Sequence, residues 1–461
     1  VFVCLEWFAL SVLSADAQPV SYPFEEMQRI NPRIGRPFEI EWNFVEANGI
    51  RLVDGDHLAL YTDSRNREDI EDLPFVFQLA ISQWCQLFSI DQSQCKHWKM
   101  RAYIMENDLR FRRSGLMPDT LPPFPAGFQT GPDMWVYAQP GDYYTRHLLL
   151  HEGTHAFMEW FLGGWGSPWY SEGMAEKMAL HLWEKQSTEN DQRLQLNARI
   201  TDKMQVPYWG RVNLIHLDLE TGQGLSLDQV LSLPTQAFRE VRHYAWAWAA
   251  CEFLSQHELS RDAFSQFQNH VAEGAARFDA HVAEALQLHR ADLNRDWELF
   301  VREIDFGIDV TKTMLIDARQ QTEPNKGHEL GTYLVKADHA WQVTSISVKR
   351  NDRVRFRCDS RFQVGSTNQA DQTLPWIATA NGITLEYYRG RPLGMLLAGT
   401  MDRDAAEPAE QVVGLLNPVA VGQEGVIEFE RDGILCLRIN DSPSKMDDNQ
   451  GALEVRIWKV E

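Results

Sequence analysis

Leu148-Leu149-Leu150-His151-Glu152-Gly153-Thr154-His155-Ala156-Phe157-Met158 sets two histidines four residues apart in an apolar run. On a helix, residues four apart share one face. Both imidazoles then point at one spot and can share a zinc ion. The glutamate beside them is placed to take a proton from a zinc-bound water. A surface helix with two histidines has the same spacing, so the residues downstream decide the reading.

A catalytic zinc usually holds three protein ligands and one water. Trp169-Tyr170-Ser171-Glu172-Gly173-Met174-Ala175-Glu176-Lys177 supplies the third ligand. The intervening residues 156–171 allow the first helix to end at Gly163-Gly164. The chain then turns through Gly166-Ser167-Pro168 and returns antiparallel. Glu172 falls in the first turn of the return helix, facing the histidines.

The H-E-x-x-H stretch followed by W-x-S-E-G-x-A-E resembles the gluzincin metallopeptidases, in particular the peptidase MA-like family, over roughly residues 55–300. The resemblance implies zinc ligation by His151, His155 and Glu172. It implies a general-base role for Glu152, which activates water and then protonates the leaving amine. It also implies that Glu176, one turn beyond Glu172, hydrogen-bonds a ligand histidine and fixes its tautomer. The bland alternative for Glu176 is a helix-surface carboxylate. Family members often carry a tyrosine early in a later helix to stabilise the oxyanion. Tyr244, in His243-Tyr244-Ala245-Trp246, is the candidate, with His243 as runner-up. Tyr244 packing a core is the competing reading. The exopeptidase motif G-x-M-E-N of the aminopeptidase branch is absent, so aminopeptidase activity is not expected.

His147 lies four residues before His151, so three histidines share one face. A first-turn histidine is more often a solvated cap than a ligand. Glu159, four beyond His155, reads as a surface or supporting group.

The chain has 461 residues, enough for two or three domains. Lys plus Arg is 44 against 65 Asp plus Glu, a formal charge of −21. That opposes non-specific nucleic-acid binding and attraction to anionic membranes. No segment after the first residues is long and apolar enough to span a bilayer. Residues 1–17 read as a signal peptide, with an apolar stretch before Ala15-Asp16-Ala17. Glu6 interrupts it and no basic segment precedes it; a short buried helix is the alternative. Export to a secreted, periplasmic or cell-surface location is therefore expected. Of six cysteines, Cys85 and Cys95 are close enough to form a local disulfide in an exported protein.

The expected fold is multidomain α+β. A zincin-type α/β part runs to about residue 140, with strands at 57–62, 98–105 and 134–137 and a helix at 74–88. Residues 121–131 read as a Pro/Gly-rich loop. A mostly helical part follows, with helices at 144–162, 171–186, 235–257, 261–273 and 277–287. The metallopeptidase domain spans 18–320. From about 330 to 461 the apolar residues alternate, as in Val343-Thr344-Ser345-Ile346-Ser347-Val348, which predicts an all-β sandwich.

Within that sandwich, the 437–457 segment has a loop rich in oxygen donors. Asp441, Asp447, Asp448 and Asn449 suit a hard cation such as calcium, although Asx and Gly also fill ordinary turns. The N-D-x-P-x-x-x-x-D/N-N-x-G spacing is similar to the calcium-dependent galactose-binding bacterial lectins, over about 335–461. The resemblance implies calcium ligation by Asp441, Asp448 and Asn449, with Lys445 contributing its backbone carbonyl. The lectin's H-P-x-Q sugar-contacting segment is replaced by Thr379-Ala380-Asn381-Gly382. The expected function is zinc-dependent hydrolysis of a peptide or protein substrate, with a lectin-like domain that has a glycan as a further candidate ligand. The competing class is a catalytically inactive metallopeptidase-like protein acting as a calcium-dependent glycan or surface binding module.

Overall fold

The computed structural model describes residues 22–65, 68–185, 193–322, 328–369 and 372–460. The leader-like residues 1–17 and the 323–327 segment lie outside them. The chain forms an α+β, multidomain fold with a β-rich C-terminal region.

The N-terminal part is built on a five-stranded sheet. Its strands are β1 (Arg51–Asp54), β2 (Leu58–Thr62), β3 (Met100–Met105), β4 (Gly127–Thr130) and β5 (Asp133–Tyr137), in the order β1-β2-β3-β5-β4. β2, β3 and β5 are parallel, with Leu58 opposite Met100 and Ala102 opposite Met134. β2 and β3 are buried at every position, as strands covered on both faces must be. β4 pairs antiparallel with β5, Gly127 opposite Val136, and forms the edge of the sheet. It lies inside the stretch expected to be a loop. Pairing with β5 supplies the backbone partners that Pro/Gly-rich composition alone does not suggest.

A helix at Leu73–Phe88 and the motif helix, Asp142–Phe157, pack together over this sheet through Phe77, Trp84 and Phe157. The motif helix continues as a π-turn, Met158–Leu162, and ends at Gly163 with φ +77°. The return helix, Pro168–Ala179, follows. It stops short of the expected 186, because His181–Glu184 pairs with Arg193–Leu196 as a hairpin. The expected 235–257 helix breaks at an extended Glu240 into a 3₁₀ turn, Thr235–Arg239, and the long helix Val241–Gln256. The expected 261–273 helix divides into Arg261–Phe267 and a 3₁₀ segment, Gln268–Glu273. Helices Ala275–Leu286 and Arg290–Glu303 complete this part. No helix among the described residues is long and apolar enough to cross a membrane.

From Ile316 onward the chain is β-rich. A five-stranded sheet containing Arg353–Arg357, Ala452–Val460 and Glu329–Lys336 faces a six-stranded sheet containing Arg391–Met401, Gly433–Ile439 and Gln342–Val348. Their inward residues alternate and share one core, including Tyr333, Phe356 and Val455 from one sheet and Leu396, Leu437 and Ile346 from the other. The two parts meet at ion pairs, among them one buried and one exposed. Arg438 Nη1 donates to Glu303 at 2.7 Å, and the exposed Arg199–Asp447 pair closes at 2.5 Å.

Candidate metal centre

Two glycines let the helices of the site approach closely. A Cβ on Gly153 would stand 2.8 Å from the Trp84 ring, so the motif glycine allows the motif helix to lie against its neighbour. Gly173 on the return helix touches the Ala247 carbonyl and would set a Cβ 2.6 Å from Cys251 Sγ. That contact fixes the return helix on the Val241–Gln256 helix, which carries Tyr244.

The structure brings His151, His155 and Glu172 together. His151 Nε2 is 3.2 Å from Glu172 Oε2, His155 Nε2 is 3.3 Å from the same oxygen, and the two Nε2 atoms are 3.2 Å apart. Zinc–ligand bonds of about 2.0–2.1 Å in a tetrahedron set ligand atoms about 3.3–3.4 Å apart. The triangle therefore fits one small divalent cation with its fourth position open. Of the ring nitrogens away from the triangle, His155 Nδ1 faces Ser171 Oγ at 3.1 Å, whereas His151 Nδ1 has no hydrogen-bond partner and lies 3.6 Å from the Glu176 carboxylate. Such outer contacts orient a ligand imidazole. Burial would raise the Glu172 carboxyl, but His155 and His151 outweigh it and hold it down to about 2.

Glu152 is buried beside the triangle. Burial pushes its carboxyl up to about 8; His155 pulls it down and Glu172 adds to the rise. Its carboxylate rests on Gly127 of β4, where a Cβ would overlap Oε1. Glu159 accepts from Gln129 Nε2 of the same strand at 2.8 Å.

Glu176 is a buried hub, 1% exposed, rather than a surface carboxylate. Arg211 grips it from Nη2 to Oε1 at 2.8 Å and from Nε to Oε2 at 3.1 Å. Trp209 Nε1 donates to Oε2 at 3.2 Å. Burial opposes its ionisation, yet Arg211 and then His147 hold it well below the usual carboxylate range. His147 is fully buried, against the expectation of a solvated cap. Its Nε2 lies 3.4 Å from Glu176 Oε2 and its Nδ1 pairs with the Ala179 carbonyl at 3.0 Å. His147, His151 and Glu176 form a second close set of ligand-type atoms. Arg211 already neutralises that carboxylate, which disfavours a cation there. Arg211, Trp209 and the burial of His147 had no sequence signal, because the hydrogen bonds join residues 32 to 35 apart.

Tyr244 is half-buried, its ring centroid 6.0 Å from that of His151 and 5.9 Å from the Arg211 guanidinium. Burial pushes its hydroxyl well up, with Glu172 and Glu152 adding to the rise. His243 is occupied elsewhere, its Nδ1 on the Ala237 carbonyl at 2.7 Å.

The 441–449 loop is only partly gathered. Asn449 Nδ2 donates to Asp441 Oδ2 at 2.8 Å, and the buried Asn449 Oδ1 has no hydrogen-bond partner. Burial pushes Asp441 up to about 6 against its hydrogen bonds from Asn449 and Ser442. Asp448 instead accepts from Ser366 Oγ at 2.7 Å, and the Lys445 ammonium pairs with Glu386 at 3.3 Å. Of the three residues expected to ligate calcium through side chains, Asp441 and Asn449 therefore contact each other while Asp448 bonds Ser366, and the Lys445 ion pair does not involve the backbone carbonyl expected of it. Ser366 is in a hairpin remote in sequence, so its claim on Asp448 is a tertiary outcome.

No family model matches the chain. No curated protein matches it either. Among solved structures it is similar to the EclA N-terminal domain, a PllA-like lectin, with 18% identity, covering 29% of this chain and 98% of that chain at a TM-score of 0.21.

Proposed function

We propose that this protein is a zinc-dependent metallopeptidase of gluzincin type, acting outside the cytoplasm. The observation that carries the reading is the His151–His155–Glu172 triangle, with sides of 3.2, 3.3 and 3.2 Å, beside the buried Glu152. A bound zinc ion would supply Lewis acidity toward water and a substrate carbonyl. Glu152 takes the proton of the attacking water and returns it to the leaving amine. Tyr244, its ring centroid 6.0 Å from that of His151, would donate its hydroxyl proton to the developing oxyanion. The edge strand β4 offers backbone groups to an extended peptide, which favours a peptide over a small ester. Metal analysis of wild type and Glu172→Ala tests the site. One zinc that depends on Glu172, present in wild type and lost in the variant, is expected, together with a Glu152→Gln protein that keeps this zinc but cuts no peptide library. Zinc that ignores Glu172, or full turnover in Glu152→Gln, would sink the reading.

A second reading concerns the β-sandwich. The buried, unpartnered Oδ1 of Asn449 beside Asp441 favours a calcium-assisted glycan-binding tail. A glycan array run with calcium and with chelator tests it. Identical, empty arrays in both conditions would overturn it.

A further inference from the structure

A third histidine–carboxylate cluster lies away from the candidate metal centre, on the segment 268–286. His270 and Glu273 sit three residues apart in the 3₁₀ turn Gln268–Glu273. Residues three apart eclipse in a 3₁₀ helix, so both side chains leave on one line. Gly274 then adopts φ +85°, a conformation favouring glycine, and turns the chain into the helix Ala275–Leu286. His281, on that helix, is brought back over the pair.

The three side chains converge. His270 Nδ1 is 2.7 Å from Glu273 Oε1, and His281 Nε2 is 3.2 Å from Oε2. The two imidazoles stack with centroids 3.8 Å apart and planes 25° from parallel. One ligand atom from each residue lies within 4.8 Å of the others, and all three side chains are a third or more exposed. Exposed ion pairs contribute little to stability. Two imidazole nitrogens and a carboxylate within 4.8 Å of one another are, however, the donor types of a first-row divalent ion with an open position. Calcium or magnesium would require oxygen donors instead.

We propose that His270, Glu273 and His281 bind a zinc-class divalent ion, separate from the candidate centre at His151. The ion staples the 3₁₀ turn to the following helix. That hairpin is the platform for the turn joining the two ligand-bearing helices. The Val271 carbonyl, between His270 and Glu273, accepts the Gly166 amide at 3.1 Å. Phe278 packs against Gly166, and Asp279 accepts from the Ser167 hydroxyl. The staple therefore stiffens the support behind the turn that spaces His155 from Glu172.

Zinc stoichiometry and Tm are measured with added zinc on wild type, Glu172→Ala and His281→Gln. Two ions in wild type and one in each variant are expected, with Glu172→Ala still gaining Tm as zinc is added. That gain disappears in Glu172→Ala combined with His281→Gln. The surface variant Glu273→Gln should lose the same ion as His281→Gln. The two metal proposals fail separately. A single ion removed by His281→Gln but kept by Glu172→Ala upholds the staple and removes the inner centre. A single ion lost only in Glu172→Ala overturns the staple, as does zinc binding that survives both His281→Gln and Glu273→Gln unchanged.

Discussion

Gly127, on the edge strand, backs directly onto the carboxylate of Glu152. A Cβ there would overlap Oε1 and stand 2.9 Å from Cδ. The strand therefore sets where the proposed base can sit, and only a residue without a side chain leaves Glu152 in place. Gly127 is not among the residues with positive φ, so an alanine meets this steric conflict and no backbone strain. Gly127→Ala is predicted to lower peptide hydrolysis by about a hundredfold or more, the range of a displaced general base. Zinc content should not change. Steady-state kinetics beside metal analysis checks this, and undiminished turnover would show that Glu152 is not held by β4.

Arg211 is the counter-ion that makes a buried Glu176 tolerable. Arg211→Met leaves that carboxylate uncompensated, predicted to cost about 3–5 kcal/mol of stability. Because Glu176 faces His151 Nδ1, zinc affinity should also fall about 10–100-fold. Denaturant melts and zinc titration measure the two effects. Adding Glu176→Gln to Arg211→Met should recover part of the stability but not the affinity. Recovery of both would assign Glu176 a packing role alone.

Cys85 Sγ and Cys95 Sγ stand 3.4 Å apart and are both thiols. Mild oxidation is predicted to join them, since little movement is needed. The closed loop should stabilise the chain by about 2–3 kcal/mol on the chain-entropy model. Cys251, Cys358 and Cys436 are buried singly and should remain free. Peptide mapping after alkylation, with and without oxidant, distinguishes the pair from the rest. A crosslink involving Cys251, Cys358 or Cys436 would contradict the geometry.

Glu303 couples the helical part to the β-sandwich through Arg438 and Arg389. Burial alone would raise its carboxyl, but Arg438 and then Arg389 hold it below the usual range. Its folded pKa is lower than its unfolded one, so its contribution is complete above about pH 4.5. It is lost as pH falls through the folded value. Glu303→Gln should therefore lower Tm near neutrality and flatten the fall of Tm below about pH 4.5. Parallel acid slopes in variant and wild type would show that the pair is not coupled to folding.

The β-sandwich was legible from alternation in stretches such as Val343–Val348, and three N-terminal strands were expected at 57–62, 98–105 and 134–137, while their parallel pairing emerged only in the fold. The expected helices failed where a neighbour intervened. His181–Glu184 left the return helix to pair with Arg193–Leu196, and β4 emerged from a Pro/Gly-rich stretch because β5 offered it an edge.

The amino-acid sequence by itself determined the pairing of His151 with His155 and the choice of Glu172, because helical periodicity and a short glycine turn are local, covalently spaced facts. Only the tertiary structure decided that Glu176 is gripped by Arg211, that His147 is buried, and that Gly127 stands against Glu152. It also drew Asp448 to Ser366, away from Asp441, and folded His281 over His270. The physical reason is the range of the interactions. A helix repeat needs only its own residues, whereas a buried charge finds its partner, and a strand its edge, only after distant segments have packed.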